Sequence, residues 1–132
     1  MSLFGSPDVE KLKAKGDVKG LIKALSYKKD QTVRQSAAEA LGEMGAMRAV
    51  EPLLAALKDD ESIRLSAIKA LGQIGDTRAV ETLVTARASK DEKIAKAGLE
   101  ALRQLGPEGV DAVIAVFRNT EEETQPLILL SR

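Results

Sequence analysis

Two stretches of the chain are almost the same stretch. Residues 33–57 read VRQSAAEALGEMGAMRAVEPLLAAL, and residues 63–87 read IRLSAIKALGQIGDTRAVETLVTAR. Thirty residues separate Leu41 from Leu71, Gly45 from Gly75 and Val50 from Val80. A weaker third copy follows in Ile94, Ala101, Leu102, Leu105, Gly106, Val110 and Val113. A repeat of this period marks a solenoid, because one unit is too small to bury its own apolar face and must stack on its neighbours.

Inside each copy the apolar residues keep helical spacing. Val33, Ala37, Ala40, Leu41 and Met44 share one face, as do Val50, Leu53, Leu54 and Leu57. Spacings of three and four residues place such side chains on one stripe of a helix. Each unit is therefore a pair of amphipathic helices. Gly45, Gly75 and Gly106 fall where the first helix must stop, in a left-handed position that glycine fills without steric cost. Asp76 suits the N-cap of the next helix. Pro52 and Pro107 lie in first turns, where a missing N–H does no harm.

The spacing predicts helices near 7–15, 17–26, 31–44, 48–58, 61–74, 77–88, 91–105, 108–118 and 121–131. Grouped into units, these give an N-terminal cap pair (1–29), repeats at 30–59, 60–89 and 90–119, and a C-terminal cap helix (120–132), all in one domain. The first pair lacks the alanine-rich pattern, as expected for an end whose outer face meets water. The last segment, TEEETQPLILLSR, carries Leu127, Ile128, Leu129 and Leu130 in succession. It reads as a cap packed on the third repeat, or as an end contact that docks another protomer or a further segment.

Composition narrows the function. Of 132 residues, 44% are apolar and 2% aromatic, so the core is built from aliphatic side chains. There is no Cys and no His. That removes disulfides, thiolate metal sites, and the commonest metal ligand and general base at neutral pH. Lys+Arg and Asp+Glu balance at 20 each, without the basic stripe or aromatic platforms of a nucleic-acid binder. No run approaches the roughly 20 apolar residues of a membrane span, and the start shows no signal-peptide pattern. A soluble, cytoplasmic protein without cofactor is the expectation.

The words VRxxAAEALGxxG and DxRAVEPLLxAL resemble HEAT repeats, and more narrowly the short HEAT-like repeats of the phycobilisome-lyase type. The matching residues are Val33, Arg34, Ala37, Ala38, Glu39, Ala40, Leu41, Gly42 and Gly45, then Arg48, Ala49, Val50, Glu51, Pro52, Leu53 and Leu54. The resemblance covers about residues 17–118. It implies an all-α fold, a right-handed α-solenoid of stacked antiparallel helix pairs whose second helices line a concave face. Families of this kind usually serve as protein-interaction scaffolds. An accessory subunit of an enzyme, of the bilin-lyase kind, is the alternative. The third copy departs from the pattern with Gly98 in place of Ala37 and Ala67, and Arg103 in place of Gly42 and Gly72. Arg87 stands where Leu57 did, its stem expected at the core's edge.

Residues opposite the apolar stripe of the second helices form a candidate partner-binding ribbon. They are Lys19 and Lys23, then Arg48, Glu51, Pro52 and Ala55, then Arg78, Glu81, Thr82 and Thr85, then Asp111, Ala112 and Ala115. Lysines crowd the first 29 residues and acids the last stretch, so head-to-tail self-association is a second possible contact. Asp59, Asp60 and Glu61 read as helix capping, and Arg34 and Arg64 as local helix ion pairs with the acids just before them. Ser66 and Lys69 do not form a catalytic pair, since Ser36 has Glu39 at the matching spacing; Ser66 is expected at a tight contact between helices. No catalytic, cofactor or metal site is expected.

Overall fold

In the computed structural model, residues 6–115 and 117–118 are described. Helices α1 (Val9–Ala14), α2 (Val18–Ala24), α3 (Gln31–Glu43), α4 (Val50–Ala56), α5 (Glu61–Ile74), α6 (Val80–Arg87) and α7 (Glu92–Gln104) follow in order. An eighth, α8, spans residues 106–115, and 117–118 are helical too. No strand occurs among the described residues. The expected helix at 121–131 lies outside them.

The first helices form one layer: α3 packs on α5 and α5 on α7. Each second helix packs beside its own or the following first helix, as α4 does on α5 and α6 on α7. One continuous aliphatic core results. Leu21 on α2, Leu41 on α3, Leu53 on α4, Ile63 and Leu71 on α5 and Leu83 on α6 are fully buried. This is the α-solenoid read from the repeat.

Aspartates start most of the helices. The carboxylates of Asp8, Asp17, Asp30 and Asp91 accept backbone N–H groups from the first turns of α1, α2, α3 and α7, satisfying donors that have no partner within the helix. Gly45, Gly75 and Gly106 end their helices at φ of +62°, +74° and +71°. The second helices depart from expectation. Each of the two central ones begins with a separate 3-10 turn, Met47–Ala49 or Thr77–Ala79, before the α-helix opens at Val50 or Val80. Tight bonds from Ala49 N–H to Ala46 O and from Ala79 N–H to Asp76 O close these turns at 2.9 and 3.1 Å. The third copy lacks one residue here, and Pro107 enters α8 directly after Gly106.

The glycine-to-arginine departure now has a cause. A Cβ at Gly42 would sit 2.6 Å from Ala70 Cα, and one at Gly72 would sit 2.7 Å from Ala101 Cα. These glycines let successive first helices touch backbone to backbone. On α7 the matching residue is Arg103, whose side chain is 69% exposed. No first helix covers it among the described residues. Gly98 answers a different need, since a Cβ there would lie 2.7 Å from Arg87 N; the end of α6 closes down on α7.

Candidate partner-binding cleft

Between the second helices α2 and α4 lies an open cleft of about 830 Å³. Ile22 and Leu25 line it from the α2 side, and Pro52, Ala55 and Ala56 from α4. Their spacing on each helix turns these small and aliphatic side chains to one side. Lys28 and Lys58 stand exposed in the loops that follow the two helices, at one end of the cleft.

Arg34 fixes that end. It projects from α3 and is 9% exposed. Nη1 donates to Tyr27 O and Lys28 O at 3.0 and 3.2 Å, on the loop after α2. Nε and Nη2 donate to the two oxygens of Asp59 at 2.9 and 3.1 Å, on the loop after α4. Nη2 also lies 3.5 Å from an Asp60 oxygen. One guanidinium thus ties both walls together. The planar fork with five donors is what permits it; a lysine could not hold this geometry.

The clasp sets the charge state of Asp59. Burial pushes its carboxyl up, but the hydrogen bonds from Arg34 and from Asp60 N–H, with the charge of Arg34, outweigh it and hold the group below the ordinary carboxylate range. A group with a depressed native pKa stabilises the fold above its unfolded value, and that stability vanishes as pH falls through the native one. Asp59→Asn is therefore expected to lower stability at neutral pH by about 1–2 kcal/mol. The gap from the parent should hold down to about pH 5 and close in acid, below the unfolded value of about 3.9. Urea unfolding at several pH values checks this; a gap constant down to the lowest pH would contradict the clasp.

This corrects two expectations. Arg34 does not form a local helix pair with Asp30; its partners are 25 and 26 residues ahead. Asp59 is a clasp residue, and Asp60 occupies the N-cap of α5 without making a side-chain capping bond. Arg64, the repeat equivalent of Arg34, forms no ion pair among the described residues, and its Nε is buried without a partner. The loop after α6 reads Ala88-Ser89-Lys90 and supplies no acid where Asp59 stood. That difference between two aligned loops was the sequence signal for a clasp at one junction only.

The candidate ribbon is brought together in part. Pro52 and Ala55 line the cleft. Lys19, Lys23, Arg48, Glu51, Glu81, Asp111 and Ala115 are exposed, while Thr82 and Ala112 are half-buried. Arg78 is spent on structure. It pairs with Asp76 at 2.7 Å and reaches Glu51 at 3.7 Å and Met47 O at 3.4 Å, bridging two repeats. Its hydrogen bonds hold the Asp76 carboxyl low, and Asp76 in turn raises the guanidinium. The Thr85 hydroxyl donates back to Glu81 O at 3.0 Å. Lys13 is tied to Glu43, which joins α1 to α3 and raises the Lys13 ammonium. Ser66 is buried at the α3–α5 contact, its Oγ 3.5 Å from Glu39 Oε1. The candidate end contact, Leu127–Leu130, lies outside the described residues. No helix among the described residues is long and apolar enough to cross a membrane.

A stack of helix pairs with a cleft on its second-helix side defines a class, the helical repeat proteins. A profile of HEAT repeats matches residues 18–103, from the start of α2 to the last turn of α7. The chain belongs to the HEAT-repeat family. Comparison with curated proteins gives no significant match.

Proposed function

We propose that the chain is a non-catalytic protein-interaction module that takes an acidic, apolar segment of a partner protein in the cleft between α2 and α4. The observation that carries this reading is the cleft itself: an aliphatic floor, lysines at one end, and two walls held by one arginine. HEAT repeats are commonly interaction scaffolds, which supports the class. The chemistry of the segment follows from the lining. Apolar side chains find Ile22 and Ala55, and carboxylates find Lys28 and Lys58, which outnumber the exposed Asp60 in the same lining while Arg34 and Asp59 neutralise each other. Within the family, the words at 33–57 and 63–87 favour the short phycobilisome-lyase type of repeat. A cytoplasmic location suits a chain without cysteine.

Fluorescence anisotropy with a labelled peptide of alternating Glu and Leu tests the proposal, with a Lys–Leu peptide as control. The Glu–Leu peptide is expected to bind preferentially. Reversing Lys28 and Lys58 to Glu should weaken it at least roughly tenfold, equivalent to about 1.4 kcal/mol. Reversing Glu51 and Glu81 to Lys should strengthen it, because these exposed acids lie on the same ribbon. Binding indifferent to all four changes would refute the ribbon and the cleft together. A purified protein that carries a coloured chromophore would instead favour an accessory role beside a bilin-type enzyme.

A further inference from the structure

The C-terminal end of the described stack carries an apolar groove of about 270 Å³ between α6, α7 and α8. Val84, Leu102, Val110, Val113, Ile114 and Phe117 line it. The counterparts of Val110 inside the stack are buried, and those of Ile114 are half-buried. Val50 and Val80 are 0% and 3% exposed, whereas Val110 is 55% exposed. Ile114 and Phe117 are 46% and 48% exposed. Three large apolar side chains exposed side by side call for a cover.

We propose that this groove is the docking site of Leu127–Leu130 of the same chain, which closes the stack as an intramolecular cap. Three observations select that occupant. The first excludes another helix pair stacked in the ordinary way: the glycine that admits the next first helix, Gly42 on α3 and Gly72 on α5, is Arg103 on α7. The second is reach. Leu127 lies nine positions after Arg118, enough to span about 30 Å when extended. Seven residues of helical rise, the spacing of Val110 and Phe117, amount to only about 10 Å. The chain can therefore turn back over the groove it has just left. The third is complementarity. Four successive large aliphatic side chains match an apolar groove, and the intervening Glu121, Glu122 and Glu123 match Arg87 and Arg103 at its edge. This cap is separate from the α2–α4 cleft, so either assignment stands without the other.

Methyl NMR on the unaltered full chain tests it, with Ile, Leu and Val methyls labelled. Nuclear Overhauser contacts are expected from the Ile128 methyl to those of Val110, Val113 or Ile114. They should persist on dilution and be missing from an isotope-filtered experiment on mixed labelled and unlabelled protein. Contacts seen only between differently labelled chains would overturn the proposal in favour of a second copy. No contacts at all would overturn it in favour of an outside partner. In the variant Ile128→Glu, amide exchange in α8 should accelerate roughly tenfold while α5 stays as protected as before. Unchanged protection of α8 would also overturn the cap.

Discussion

Leu71→Ala is expected to destabilise the protein by about 2–5 kcal/mol, the range for emptying a fully buried leucine site. Leu71 is 0% exposed and lies in the middle of the first-helix layer, between α3 and α7. Its cavity cannot collapse without shifting both neighbours, which touch α5 backbone to backbone at Gly42 and Gly72. The same change at Leu12 should cost clearly less, because Leu12 is only partly buried on the short terminal helix α1. In a solenoid each unit is stabilised by its nearest neighbours, so an inner unit supports two interfaces and an end unit one. Urea unfolding of the two variants decides the point. Equal losses would mean that the chain behaves as a single undivided core.

Gly72→Val should be the second large loss, about 3 kcal/mol or somewhat more, through overpacking rather than a cavity. The added Cβ would meet Ala101 Cα at 2.7 Å, a contact with backbone that no rotamer change relieves. Either α7 moves away from α5 or α5 bends. Arg103→Ala, at the matching position one repeat later, should stay within about 0.5 kcal/mol. Its side chain is exposed and, among the described residues, makes only a long ion pair of 3.8 Å with Glu100, and such surface pairs are worth little. Thermal unfolding of both variants reads the contrast. A tolerated valine at position 72 would show that the inter-helix contact is looser than the structure has it.

Much of the fold was legible in the sequence because it is written in short-range patterns. The thirty-residue echo, the three- and four-residue apolar spacing and the glycine stops all act within one helix and its turn. Helix α5 runs from Glu61 to Ile74, as its spacing predicts. The 3-10 turns before α4 and α6 are not legible in the spacing, since the local apolar pattern is silent on whether a first turn closes on the third or fourth residue. The cleft was half legible. Pro52 and Ala55 follow from helix geometry, but Lys28, Lys58 and Asp59 sit in loops, where no periodicity assigns a direction.

Arg34 is the sharpest case. Asp30 precedes it by one helical turn, and the sequence alone favours that neighbour. The folded chain brings Asp59 closer, because stacking sets the loop after α4 beside the loop after α2. The sequence by itself determined that this protein is a stack of helix pairs and which face of the central helices is buried, since those follow from spacing and backbone preference within about thirty residues. Only the tertiary structure decided which arginine clasps two loops and which valine is left uncovered by the described repeats, because charge pairing and burial depend on distances between units that no single repeat encodes.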